Sequence, residues 1–311
     1  MSEENMKYPG KKFRVFFDQE IEKYQTAVKN DPENASAQAG LAESYINSWC
    51  YGFLSRDESL PIAKSASIKA IQLNQILPMV HTILGIIKLT DWDWRGAEQE
   101  LRLATIIDPT NYKSRHWYSL YLSALGRHEQ AIHEAKIANE LDAPPGAKIG
   151  YGSILYFAHQ FEDMTELLES AIIDEPDNAP LYDWLGMAYV QLGEYDKSIE
   201  VYRKAAELSD GLAEIMAGLG HAYGIAGRTN EAREVLNILL AFAKRWYIPP
   251  VQIAFVYLSL DEKEKALEML ERAYREKSWE LVFMRTEPWF DELHTDPRFI
   301  EIMSRLKFPP H

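Results

Sequence analysis

Residues 288–299 read PWFDELHTDPRF and gather three acids, one histidine and three aromatics into twelve positions. Asp291, Glu292, His294 and Asp296 are of the types that ligate a divalent metal or relay a proton. The same letters also spell the end-plug of a helical stack. Asp296-Pro297 is a helix start, with an acidic N-cap and a proline at the first helical position, where its missing amide costs nothing. Phe299, Ile300, Ile302, Met303 and Leu306 then mark an apolar helix face, and Pro288 opens a short helix in the same way. Asp291 and Glu292 are adjacent, so on a helix they point in different directions. The spacing therefore favours a cover made of Trp289, Phe290, Leu293 and Phe299, with Arg298 paired to a carboxylate or a helix end, and no metal site is assigned.

Other stretches with chemical potential resolve in the same direction. HEQAIH, residues 128–133, looks like a zinc-protease helix, but His128 and His133 are five apart and stand ~140° apart around a helix. The zinc motif needs a spacing of four to bring both onto one face. DWDW places Trp92 and Trp94 in a turn between helices, either packed against a neighbour or offered to a partner as an aromatic patch. No glycine-rich phosphate loop follows a strand pattern, and no GxSxG elbow occurs. No catalytic set and no cofactor is expected, and the chain reads as non-enzymatic.

The elements that must position these residues repeat. Residues 181–208 carry Leu181, Leu185, Ala188 and Tyr189 at helical spacing, then Gly193 to end the helix, Asp196 to open the next, and Ile199, Tyr202, Ala205 and Ala206 on its apolar side. The alanine late in each second helix recurs as Ala27, Ala70, Ala104, Ala138, Ala171, Ala205, Leu239 (in its place) and Ala273, at intervals of 43, 34, 34, 33, 34, 34 and 34. Pro32, Pro109 and Pro176 follow that position by five residues and stop the helix. Gly186, Gly220, Ala97, Ala131 and Ala232 fall where two backbones approach, and Tyr45, Tyr189 and Tyr223 are wedges between units. A period of 34 is that of the tetratricopeptide repeat. The expectation is an all-α right-handed superhelix, an α-solenoid of about eight helix-turn-helix units closed by a C-terminal capping helix. Residues 1–10 form a flexible N-terminus, 11–285 the array and 286–311 the cap. The first unit supplies one helix, about 11–30. The long first interval places an insertion at 46–61, which lengthens a loop, lids a groove or extends a helix.

Composition bounds the partners. Of 311 residues 47% are hydrophobic, enough for a long continuous core, and the formal net charge is −14. Such a chain is repelled by phosphate fields, so nucleic acid and anionic membrane are excluded and basic protein segments are favoured. Cys50 is the single cysteine, so no intrachain disulfide forms. The N-terminus lacks a signal-peptide pattern, and the strongest apolar run, 235–243, is too short to cross a bilayer. A cytoplasmic protein is expected.

From about Pro32 to Phe308 the chain resembles the tetratricopeptide regions that follow winged-helix DNA-binding or adenylate-cyclase domains in bacterial regulators. DWDWRGAEQELRLATIIDPTN at 91–111, YSLYLSALGRHEQAI at 118–132, YGIAGRTNEAREVLNILL at 223–240 and the closing PWFDELHTDPRF carry the resemblance. The repeats begin by residue 27, which leaves no room for such an output domain ahead of them. DNA binding and cyclisation therefore do not carry over, and the resemblance implies a sensory or partner-binding module, free-standing or part of a longer regulator. It also implies that the first helix of each unit lines a concave groove, whose inward positions here are Lys113, His116, Leu120, Ile149, Tyr156, Asp183, Met187, Val190, Glu214 and His221. The adjacent position holds Gly40, Ile83, Trp117, Gly150, Trp184, Gly218 and Gln252. The family's carboxylate-clamping asparagine and arginine are thus missing, and a chaperone tail is disfavoured. The reading is a scaffold that binds a protein or peptide in its groove within a bacterial regulatory complex. The alternatives are a module sensing a small molecule or short peptide and, last, an enzyme.

Overall fold

The computed structural model describes residues 9–141 and 146–310, so most of the expected flexible N-terminus lies outside the described residues. Among the described residues there is no β-strand. The helices are α1 (Lys11–Asn30), α2 (Ala35–Cys50), α3 (Arg56–Leu73), α4 (Pro78–Thr90), α5 (Trp94–Ile107), α6 (Tyr112–Ala124), α7 (His128–Glu140) and α8 (Ala147–Phe157). They continue with α9 (Phe161–Asp174), α10 (Ala179–Gln191), α11 (Tyr195–Leu208), α12 (Ala213–Ile225), α13 (Thr229–Ala243), α14 (Pro250–Ser259) and α15 (Lys263–Glu276). Two 3-10 turns, Trp279–Phe283 and Pro288–Leu293, precede α16 (Pro297–Arg305). No helix is long and apolar enough to cross a membrane.

Two compact units share these elements. Residues 14–141, 282–286 and 303–310 form the N-terminal unit, and residues 9–13, 146–281 and 287–302 form the C-terminal unit. In the N-terminal unit the hairpins α2–α3, α4–α5 and α6–α7 stack, with α2, α4 and α6 as neighbouring first helices. In the C-terminal unit α8–α9, α10–α11, α12–α13 and α14–α15 do the same, and α8, α10, α12 and α14 lie side by side.

The repeat positions explain the packing. Ala70, Ala104, Ala138, Ala171, Ala205, Leu239 and Ala273 are all buried. The tyrosine wedges are buried too, and each meets a side chain twenty residues earlier on the preceding second helix. Gln25 donates to Tyr45 at 2.9 Å, Tyr189 donates to Glu169 at 2.5 Å, and Arg203 donates to Tyr223 at 2.9 Å. A tyrosine placed so ties one hairpin to the next through both its ring and its hydroxyl, the bond contributing about 1 kcal/mol.

One local expectation changes and another resolves among its alternatives. Helix α11 begins at Tyr195 with Glu194 at the cap position, so Asp196 sits inside the first turn, where its charge favours the helix dipole without opening the helix. Of the three alternatives for the insertion at 46–61, helix extension holds and the loop and the lid do not. It lengthens α2 and α3 to 16 and 18 residues around a short turn, and Ser55 and Glu58 form a capping box at the start of α3. The turn packs on α1, with Phe17 against Tyr51 and Phe53 at 5.0 and 5.3 Å and Arg14 donating to the Phe53 carbonyl at 2.6 Å.

Candidate peptide-binding face

The closing segment does more than end the last hairpin. Glu287 caps the 3-10 turn Pro288–Leu293, accepting from the Trp289 amide at 3.1 Å. The same carboxyl oxygen accepts from the Tyr156 hydroxyl of α8 at 2.6 Å. Trp289 stacks on His221 of α12 at 3.9 Å and meets the edge of Phe255 of α14 at 4.7 Å. Phe290 packs on Phe255 and Phe299 at 5.1 and 5.7 Å. Residues 287–290 therefore lie across α8, α12 and α14, the first-helix face of the C-terminal unit.

Of the acids singled out in 288–299, Asp296 has structural work. Asp296 accepts from the Arg298 amide at 2.9 Å and pairs with Lys263 at 3.0 Å, and these partners hold its carboxyl below the usual range. Arg298 reaches Glu271 at 2.8 Å and Glu264 at 2.7 Å on α15. Asp291, Glu292 and His294 are exposed. Among the described residues no three His, Cys, Asp or Glu stand together as metal ligands.

The candidate groove residues divide between the two units. In the N-terminal unit Lys113 pairs with Glu43 of α2 at 2.5 Å, which raises its pKa against the opposing effect of burial. His116 is half-buried and burial pushes its imidazole down to about 4, while Leu120 is buried. In the C-terminal unit Tyr156, Asp183, Val190 and His221 are buried, Ile149 and Met187 are half-buried, and Glu214 is exposed. Burial pushes His221 down to about 4, with its Nδ1 at 3.0 Å from the Phe255 carbonyl. Tyr156 and His221 are thus engaged by the chain's own segment, and Ile149, Met187 and Glu214 are the accessible side chains of that face.

The sequence reading passed over Glu287, Glu280 and the inner role of Tyr202. Tyr156 and Glu287 are 131 residues apart, which no local pattern reports. The clue for Tyr202 was available: Gly186 and Gly218 stand on successive first helices, small at both places where the ring passes.

The N-terminal unit holds the tail in its own way. Trp94, the first residue of α5 and 5% exposed, donates from Nε1 to the Leu306 carbonyl at 2.8 Å and stacks on Phe308 at 4.5 Å. Arg285 lies over the same Phe308 ring at 4.5 Å. Trp94 is therefore a packing residue and not a patch.

Residues 186–227 match the family model of the TPR repeat. No curated protein matches the chain. Among solved structures, a chain of the APC/C hetero-tetramer Cut9–Hcn1 is similar with a TM-score of 0.61 at 16% identity. The match covers 94% of this chain and 52% of that one, so the chain spans about half the length of that relative. PilW, a type IV pilus biogenesis factor, is similar with a TM-score of 0.53 at 16% identity, over 68% of this chain and 94% of that one. With the hairpin stack these likenesses define the fold as an α-solenoid of tetratricopeptide type.

Proposed function

We propose that the chain is a non-enzymatic scaffold that binds a protein or peptide segment on its first-helix face, within a bacterial regulatory complex in the cytoplasm. One observation carries the reading. The first-helix face of the C-terminal unit already holds a chain segment, residues 287–290, by one hydrogen bond to a buried tyrosine and by aromatic stacking. Those are the means by which such a face grips a segment from another chain. The fold supports it, and the resemblance of the closing motif to bacterial regulators supports the regulatory setting. The net charge of −14 supports a basic partner.

The test is affinity capture from native lysate with Ile149→Asp/Met187→Asp beside wild type and an outer-face control, Glu166→Gln/Glu268→Gln. Tyr156 is left intact, because its removal would free residues 287–290. A partner kept by wild type and the control and lost by the inner-face variant, with equal circular dichroism, is the expected result. A partner held equally by all three would move binding to another surface, and no partner at all would overturn the scaffold reading.

A further inference from the structure

The inner face of the C-terminal unit carries an uncompensated set of acids. Asp183 on α10 stands one turn before Gly186, and Glu214 on α12 stands one turn before Gly218. Tyr202 of α11 passes between those two glycines. A Cβ on Gly186 would lie 2.6 Å from its ring, and one on Gly218 would lie 2.3 Å from the ring and 2.6 Å from the hydroxyl. The ring's far end is thereby delivered to the side of the helices that bears the two acids. That hydroxyl is fully buried and has no hydrogen-bond partner. It feels the charges of Asp183, Glu214 and Glu287, and Glu280 in the turn Trp279–Phe283 feels Glu214.

Three carboxyls, Asp183, Glu214 and Glu287, therefore act on one unpartnered hydroxyl, Glu280 acts on Glu214, and none of the four meets a lysine or arginine among the described residues. A buried carboxylate without a cation is costly, and like charges together cost more. Burial pushes Glu287 up to about 7, Glu280 up to about 8, and Asp183 well above the usual carboxylate range. Elsewhere the chain pairs its acids routinely, as at Glu43, Glu134 and Glu271. Glu214 is exposed, so the set can be reached from solvent. Aromatic walls stand beside it: Trp184 meets Tyr156 edge-on at 5.7 Å, and Tyr156 holds Glu287. Acids backed by aromatic rings are the chemistry that recognises an organic cation.

We propose that the acids Asp183, Glu214 and Glu287 about the Tyr202 hydroxyl, with Glu280 beside Glu214, bind an alkylammonium or guanidinium group. The group belongs either to a lysine or arginine of a bound segment, a source that rests on the reading above, or to a free amine. The other titratable groups facing these four are Tyr156 of α8, Glu276 of α15 and Asp291 of the closing segment, none of them cationic.

The experiment is thermal unfolding of the full chain at constant ionic strength, with three probes: spermidine, the peptide acetyl-Gly-Gly-Lys-Gly-Gly-amide, and the same peptide with its lysine acetylated. Near pH 8 Glu287 is ionised and Glu280 about half ionised, and a cation at about ten times its Kd raises Tm by about 3–6 °C. At about pH 5 they are protonated and the rise shrinks. The acetylated peptide gives no rise. A rise with the lysyl peptide assigns the source to a protein segment, and a rise with spermidine alone assigns it to a free amine. In Asp183→Asn/Glu214→Gln the rise is lost, while that variant without ligand is at least as stable as wild type near pH 8, because a repulsion has been removed. Glu166→Gln/Glu268→Gln, with the same charge change on the outer surface, keeps the rise. Equal rises in wild type and Asp183→Asn/Glu214→Gln would show general screening of an acidic protein and overturn the proposal, as would no rise with any probe. Neither result touches the capture test above, which alters Ile149 and Met187.

Discussion

At the scale of single residues, the two inward histidines give the protein an acid limit. His221 is 4% exposed, stacked on Trp289, and its imidazole is held at about 4 by burial against an ordinary value of 6.5. A group whose folded pKa lies below its unfolded pKa contributes stability that is full above about 6.5 and lost as the pH falls through 4. The inner acids act in the opposite sense: the raised carboxyls of Glu287 and Glu280 contribute fully below their unfolded values near 4 and lose that contribution as the pH rises towards 7 and 8. Replacing His221→Phe keeps the stack and removes the titration. Urea midpoints measured from pH 7 down to about 4 should fall less steeply for this variant than for wild type. An unchanged slope would place the acid limit elsewhere. Such burial was partly foreseeable, since Tyr156, Asp183 and His221 fall on inward positions of the repeat. What occupies two of them was not, because Glu287 and Trp289 come from a segment whose letters speak only of a cap.

At the scale of elements, the period of 34 made the helices readable almost residue by residue, because each hairpin repeats one solution to one packing problem. Ala97, Ala131 and Ala232 are wholly buried at the predicted close approaches. The readings left open or missed were those without a period: the stretch 46–61, where the helix-extending alternative holds over the loop, and the start of α11, which was misplaced. The glycines make a discriminating test. In Gly218→Ala the new Cβ meets a fully buried Tyr202 ring at 2.3 Å, and the overpacking should cost about 1–3 kcal/mol. In Gly193→Ala the space is open but the backbone has φ +74°, and the strain should cost about 1 kcal/mol. Equilibrium unfolding in urea should rank the two in that order, and the reverse order would mean that Tyr202 is not wedged.

At the scale of the whole molecule, the last twenty-odd residues serve both units: residues 287–302 belong to one and 303–310 to the other. Truncation after Thr286 should loosen each in its own place. Hydrogen exchange should rise at α8 and α12, where Tyr156 and His221 lose Glu287 and Trp289, and at the start of α5, where Trp94 loses Leu306 and Phe308. Faster exchange confined to α14 and α15 would reduce the segment to an ordinary terminal cover. The bond from Tyr156 to Glu287 also bears on how such a gene can change. Repeat arrays commonly gain and lose whole units, since each unit touches only its neighbours. Here a duplication between Phe157 and Pro250 would carry Glu287 away from Tyr156 by the width of a hairpin, breaking a link between the first and last hairpins of the C-terminal unit. Descendants of this chain should therefore vary in loops and surface residues while keeping the number of hairpins in that unit constant.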